Sequence, residues 1–366
     1  MGGDQVEEAV AGCVAALRPA VERDWEGTKA GGLDWSCRDT ALHVADDLVA
    51  YAANLAGRAQ DGWVPFGLTL DDGTDNAGLL QVVEAAGALL AAAVRTAPRD
   101  ARAFHPYPFG SADREGFAAM GVAEVLLHTH DIARGLELAY EPAEELAGSV
   151  LTWLFPHVRP GQAAWPTLLW ATGRGELPGR APVTGWRWRN NLVLPTERLT
   201  LVGVRPAAAR DLRLGGDGGF EWIEGGPFQG TRDAAGMVVK AYEAGVLRPE
   251  FGLFVLVRRE DGRAVGGMGF HGAPDEEGRA EVGYDLVEAA RGRGYATEAL
   301  RALSRWALAR DDVRLLTATV DGENLPSQAV VTRAGFHRAT VEEERTAHEQ
   351  QDVERANALR LYLRRA

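Results

Sequence analysis

The chain has 366 residues, of which 46% are hydrophobic and 25% charged, with a net charge of −13 and a pI near 5.2. That length predicts about two domains, each able to bury its own core, and the acidic balance argues against nucleic acid as a partner, because phosphate backbones call for a basic face. Two cysteines, Cys13 and Cys37, are too few and too far apart for a disulfide framework or a cysteine-rich zinc site. No continuous apolar run approaches the ~18 residues of a membrane span, and the first residues have neither the basic segment nor the apolar core of a signal peptide; a cytoplasmic protein is expected.

Helical periodicity dominates the first 160 residues. Residues 6–20 place Val10, Val14 and Leu17 on one stripe. Ser36 and Asp39 have capping-box spacing and open a second helix that runs to about Arg58. Residues 78–96 predict a third helix, 116–137 a fourth and 144–155 a fifth. Antiparallel packing of the first four is the economical architecture. Beyond them, Trp170 to Arg174 and Trp186 to Arg189 alternate as short strands and predict a small appended sheet.

The fourth predicted helix carries the chemistry of this half. Glu124 and His128 are four residues apart, so they lie ~40° from one another on a 3.6-residue helix, with Asp131 on the same face and His130 roughly opposite. His43 sits in the second helix. Two imidazoles and a carboxylate from two helices would leave open positions on a metal, the layout of a catalytic site. The same residues also read as a structural histidine beside a surface ion pair, which contributes little.

Trp35 followed by His43, Asp46 and Asp47 resembles the first motif of the DinB-like, mycothiol-dependent maleylpyruvate isomerase family. Residues 124–136 resemble its second motif, and Ala171-Thr172-Gly173-Arg174 with Leu177-Pro178-Gly179 its tail. The resemblance covers about residues 1–192. It implies a four-helix bundle in which His43, Glu124 and His128 hold zinc or another divalent metal. That metal would activate the thiol of mycothiol or another small thiol.

The second half changes character. Leu199 to Val202, Phe254 to Val257, Ala264 to Phe270 and Ala280 to Val287 read as strands, with a turn at Glu260 to Arg263. A glycine-bearing turn, Arg291-Gly292-Arg293-Gly294-Tyr295-Ala296, then opens an amphipathic helix over 297–310. A turn of this kind at a helix N-terminus offers free N–H groups and the positive end of the dipole, which suits a phosphate or pyrophosphate. Its spacing is neither that of a P-loop nor that of a dinucleotide fingerprint. A strand over 315–320, Asn324-Leu325-Pro326-Ser327, a helix over 328–333 and Ala334-Gly335-Phe336 follow.

The pattern [QR]-x-x-G-x-[GA], filled by Arg291, Gly294 and Ala296, followed by N-x-x-S and a helix-ending A-G-F, resembles the GNAT N-acetyltransferase superfamily over about residues 195–366. The opening Pro195 to Leu199 resembles its RimJ/RimL-type branch. The resemblance implies an α+β domain with a mixed central sheet over 193–366 and acetyl-CoA as cosubstrate. Residues 291–296 would cradle the pyrophosphate, and the backbone of Val287 would pair with the pantetheine arm. Glu281 is the expected general base, acting directly or through water, with Asp285 as second choice. Val331 occupies the place where many members carry a tyrosine acid, so Ser327 is the expected proton donor and Asn324 orients cofactor or water. Tyr284, Tyr295 and His271 are further candidates. Phe220, Glu221, Trp222, Glu224 and Phe228 are candidate acceptor contacts.

Three readings remain open from the sequence. The first is an N-acetyltransferase for a small-molecule or peptide amine fused to a metal-dependent, thiol-handling bundle. In the second the bundle is a silent binding or dimerisation module. In the third the second half binds acetyl-CoA as a sensor without turnover. Homo-oligomerisation is open, and the Ala-, Gly- and Arg-rich composition suggests an actinobacterial source.

Overall fold

The computed structural model describes residues 1–98, 101–107, 109–159, 161–340, 343 and 359–365. The chain divides into two compact units, Met1–Asn190 and Asn191–Ala366, two residues before the join inferred from sequence.

The first unit is helical: α1 (Gly3–Leu17), α2 (Cys37–Gly57), α3 (Asn76–Thr96), α4 (Arg114–Gly135), α5 (Glu144–Leu154) and α6 (Ala164–Ala171). Helices α1 and α2 each pack against both α3 and α4. Helix α1 starts three residues earlier than expected and stops at Leu17, where Arg18–Ala20 continues as a 3-10 turn with Pro19 at its start. Ser36 caps α2 by accepting the Asp39 N–H at 2.9 Å. The reciprocal half of a capping box is not made, because the Asp39 carboxylate takes the Ser36 hydroxyl at 2.7 Å instead.

Helix α3 is long and apolar enough by composition to cross a membrane, although no unbroken apolar run betrays it. Leu79, Leu80, Val83, Ala86 and Leu90 are buried in the helical core, which accounts for that apolarity. Helix α4 is buried nearly all round from Gly116 to Ala133: small and aliphatic residues fill most of its surface, and its one polar face, with Glu124, His128 and Asp131, is buried as well.

The strands expected at 170–174 and 186–189 are not formed. Trp170 and Ala171 end α6, and the Thr172 hydroxyl donates to the Leu168 carbonyl as in a helix. Trp186 and Trp188 meet each other and Phe155 edge-on or tilted, without a strand partner among the described residues. Their alternation reflects packing on an aromatic cluster. The small sheet lies elsewhere, where β1 (Arg102–Phe104) pairs antiparallel with β2 (Ser111–Asp113).

The second unit is one mixed sheet flanked by helices. Its strands are β3 (Val193–Pro195), β4 (Leu199–Gly203), β5 (Leu253–Arg258), β6 (Ala264–Phe270), β7 (Arg279–Leu286), β8 (Leu315–Asp321), β9 (His337–Arg338) and β10 (Leu359–Arg365), in the order β3-β4-β5-β6-β7-β8-β10-β9. Helices α7 (Pro206–Arg213) and α8 (Gln229–Ala244) pack together, and α8 lies on β5, β6 and β7. Helix α9 (Tyr295–Leu308) crosses from β7 to β8 and contacts α10 (Leu325–Arg333).

All strand pairs are antiparallel except β7–β8. That parallel pairing holds only from Arg279–Leu315 to Glu281–Thr317. Beyond it β7 stays with β6, whereas β8 stays with β10. The two strands splay, and a cleft opens in mid-sheet from Val282 onward.

Candidate functional site

The splay exposes backbone. Glu281 and Val287 exchange hydrogen bonds with the β6 side through His271 N–H to Glu281 O and Val287 N–H to Val265 O, both near 3 Å. By antiparallel alternation, the N–H and C=O of Val282, Tyr284 and Leu286 point the other way, into the cleft. They have no strand partner among the described residues, although the Leu286 carbonyl accepts from Arg291 Nε at 3.2 Å. Val287 does not offer a free backbone edge: its N–H is held by Val265, its carbonyl accepts from Ala290, and its side chain is buried against Gly225 and Gly226. The open edge is one to five residues upstream of the expected position.

At the end of β7 the glycine loop turns into α9. Gly292 and Gly294 adopt φ of 73° and 81°, the left-handed region that glycine reaches without a Cβ penalty. Gly294 is the N-cap of α9 and offers no side chain to the first turn. The N–H groups of Gly292, Arg293, Gly294, Tyr295 and Ala296 find no acceptor among the described residues, so five successive donors and a helix dipole converge where an anion would sit. Arg198 braces this loop: it donates to the Arg293 carbonyl at 2.9 Å, pairs with Glu298 at 2.6 Å and stacks over Tyr295. The sequence reading missed Arg198, and a lone arginine at a strand start carries no signal of its own. The Arg291 guanidinium lies over Phe228, 5.2 Å from the ring centroid, which places that expected acceptor contact beside the cofactor loop.

Across the cleft, Asn324 caps α10 by accepting the Ser327 N–H at 3.1 Å. Ser327 Oγ lies 2.7 Å from the Tyr284 hydroxyl, which also donates to the Ser327 carbonyl at 3.1 Å. Two hydroxyls, one from each side of the splay, thus stand together. Val331, at the place of the missing tyrosine, is fully buried.

Glu281 is paired. Its Oε2 lies 3.2 Å from His271 Nδ1. Burial works to raise its carboxyl, but hydrogen bonds from His271 and Thr319 outweigh that and hold it below the ordinary value. The hydrogen bond to Glu281 in turn lifts His271 above 6.5, against a smaller opposing effect of burial. Asp285 is consumed structurally: it accepts from Thr231 N–H at 2.8 Å, from the Thr231 hydroxyl at 2.5 Å and from Gly267 N–H at 3.2 Å, anchoring the first turn of α8. It is not available as a base. Of the other expected acceptor contacts, Phe220 and Trp222 meet edge to face and pack against the α7–α8 core.

The first unit holds a second polar centre. His43, Glu124 and His128 each present a ligand atom within 4.8 Å of the others. Glu124 and His128 are buried, so they are no surface pair. His128 Nε2 lies 3.1 Å from Glu124 and its Nδ1 3.1 Å from Asp131, which Arg174 grips at 2.9 Å. Burial opposes the charge on His128, but Asp131 and Glu124 prevail and push it up to about 9. Asp47 stands 3.3 Å from His43, and burial with the Glu124 charge pushes its carboxyl up to about 8. The Tyr51 hydroxyl reaches Glu124 at 3.4 Å, and the half-exposed Trp35 packs on both His43 and His128. His130 faces away and meets Trp165 edge to face. The Arg174–Asp131 contact joins segments 43 residues apart, which helical spacing does not reveal.

Splayed parallel strands, an N–H cradle at the intervening helix and paired hydroxyls opposite define a site for an anionic, extended cofactor. Residues 198–337 match the family model of the Acetyltransferase (GNAT) domain. The second unit therefore carries an acetyltransferase domain of the GNAT type. The chain is 38% identical over 86 residues to "Uncharacterized N-acetyltransferase YjdG" of Bacillus subtilis (strain 168), a match that covers 24% of this chain and 51% of that protein. It is 32% identical over 85 residues to "Uncharacterized N-acetyltransferase p20" of Bacillus licheniformis, covering 23% and 48%. The matches thus span about half the length of these curated relatives. Among solved structures, Mycobacterium smegmatis RimJ in complex with CoA-disulfide is similar at 22% identity and a TM-score of 0.34, over 48% of this chain and 87% of that one.

Proposed function

We propose that the chain is an acetyl-CoA-dependent N-acetyltransferase acting on an amine, with the helical unit as an accessory module. The observation that carries this reading is the run of unpaired N–H groups from Gly292 to Ala296 at the mouth of the β7–β8 splay. Arg291, Gly292, Arg293, Gly294, Tyr295 and Ala296 hold the pyrophosphate, and the open edge at Val282, Tyr284 and Leu286 pairs with the pantetheine amides. The amine nitrogen attacks the thioester carbonyl, the C–N bond forms and the C–S bond breaks. Glu281, directly, through water or through the His271 ring it holds, serves the proton that the amine loses. The Ser327–Tyr284 hydroxyls stand ready to protonate the departing thiolate, with Asn324 fixing the α10 turn that presents Ser327. The acceptor is a small molecule or a peptide N-terminus. Calorimetric titration of the full chain with acetyl-CoA, followed by measurement of CoA release with a panel of amines, tests the reading. Micromolar binding and amine-dependent release are expected; no binding at millimolar acetyl-CoA would sink it.

A second reading concerns the helical unit. His43, Glu124 and His128 fit a divalent metal such as zinc, because His128 Nε2 and the Glu124 carboxylate already converge at 3.1 Å while Asp131 holds Nδ1. A metal there would lower the pKa of a bound thiol, mycothiol or another, or of water. Metal analysis of the purified chain beside His128→Ala decides between a loaded centre and a silent module: about one ion per chain, lost in the variant, supports the former.

A further inference from the structure

Between α8 and strands β5, β6 and β7 lies a cavity of about 280 Å³. Leu253, Met268, Phe270 and Met237 give it an apolar wall, and Asp233 stands at its α8 side. At its mouth is His271. The ring lies directly over Gly283, so that a Cβ there would meet His271 Nε2 at 2.9 Å. Glycine at this strand position leaves room for the Nε2 end of the imidazole. Nδ1 is turned to Glu281 at 3.2 Å, while Nε2 bonds to nothing among the described residues and the ring is half exposed. A carboxylate on Nδ1 fixes the tautomer that carries its hydrogen there and leaves the lone pair on Nε2.

We infer that His271, oriented by Glu281, is the group that takes the proton from the acceptor, and that the acceptor is a compact amine with an apolar body entering through this cavity. The inference rests on the acetyltransferase reading and adds to it the base and the acceptor class. A volume near 280 Å³ falls at or below the lower end of ordinary ligand pockets and fits a small molecule. In the step itself the amine nitrogen bonds to the acetyl carbon, the C–S bond breaks, one N–H proton passes to His271 Nε2, and the thiolate collects one proton from the Tyr284–Ser327 side. Amine and acetyl-CoA become amide and CoA thiol with no change of oxidation state.

The groups facing His271 are Glu281 on β7, itself bonded to Thr319 of β8, with Asp285 and Tyr284 on β7 and Asp233 on α8 lining the same cavity. All the carboxylates among them favour the charged imidazole. A base so placed works above an ordinary histidine value of 6.5.

The test uses the full chain, phenethylamine and a peptide with a free N-terminal serine as probes, and CoA release as readout. Phenethylamine is expected to be preferred, with kcat/KM rising with pH through a group above 6.5. His271→Ala is expected to lose about 10²- to 10⁴-fold in kcat while its acetyl-CoA affinity, which also reports folding, stays within about twofold. Glu281→Gln keeps part of the activity and moves the rising limb to lower pH. Met237→Trp, which fills the cavity from the exposed side of α8, raises KM for the amine alone. A His271→Ala rate within a few-fold of the parent, or a limb set by a carboxylate with Glu281→Gln inert, would overturn the inference and make Glu281 itself the base. Preference for the peptide, or an unchanged amine KM in Met237→Trp, overturns the acceptor assignment. Acetyl-CoA binding with no CoA release from either probe also overturns the inference but leaves a cofactor-binding domain, whereas absence of acetyl-CoA binding removes the acetyltransferase reading itself.

Discussion

Asp131 shows how much one buried carboxylate can hold. It is 1% exposed and meets both His128 and Arg174, so its charge is balanced by two partners that have little access to water. Substituting Asp131→Asn keeps the shape and removes the charge. The Arg174 guanidinium, itself 14% exposed, is then left without its counter-ion, and breaking a buried pair from one side costs about 3 kcal/mol or more. Chemical denaturation of the metal-free protein should show that loss, and zinc titration should show affinity weakened by about ten- to a hundredfold, as for other partners that orient a ligating histidine. A variant as stable as the parent would mean that Arg174 and His128 find other partners. At Tyr284 the expectation is milder. Tyr284→Phe removes the bridge to Ser327, at about 1 kcal/mol of stability. It should lower kcat by up to about a hundredfold with little change in acetyl-CoA affinity; an unchanged kcat would take this hydroxyl out of the proton path.

Elements were legible where local pattern and tertiary role agree. Strand β7 alternates because one face meets α8 and the other α9 and α10, so Glu281 and Tyr284 fall on opposite faces as the spacing predicts. The residues at 186–189 misled because tryptophans at alternate positions can pack on an aromatic cluster without a strand partner, and those at 170–174 because they close a helix whose last turn is too short to show its period. Asp285 misled for another reason: its proximity to Glu281 in sequence says nothing of Thr231, 54 residues away, which consumes its carboxylate. The loop after β7 was legible because its glycines are demanded by backbone geometry. Gly294, at φ 81°, is the sharpest case. Gly294→Ala adds about 1 to 2 kcal/mol of left-handed strain. The start of α9 relieves that strain by moving its N–H groups out of register. Acetyl-CoA binding should weaken about tenfold while α8 and the cavity beside it are untouched, so that the amine KM is preserved. Undiminished acetyl-CoA affinity would show that the cradle does not depend on this turn.

At the scale of the whole chain, each unit has its own buried core: one built from α1 to α6, the other including the face of the sheet that meets α7 and α8. The sequence reading set its join near residue 192, where one family resemblance ends and the other begins, and it left open whether the helical half has an activity of its own. The acetyltransferase signature is carried by backbone geometry written in glycines, whereas the His43–Glu124–His128 cluster is carried by side chains whose spacing is common by chance. The two units should therefore answer to different ligands. Calorimetric unfolding of the full chain is expected to give two transitions. Acetyl-CoA at ~100 times its Kd stabilises the unit that binds it by about 2.7 kcal/mol, which for a unit of this size moves its midpoint by roughly 5–10 °C and leaves the other in place. Zinc should move the other transition alone if the helical centre binds it. A single transition shifted by acetyl-CoA would mean that the units unfold as one, and that the helical half contributes to the stability of the acetyltransferase site. Two transitions with neither moved by zinc would leave the polar centre of α4 as a buried charge network held by Asp131 and Arg174.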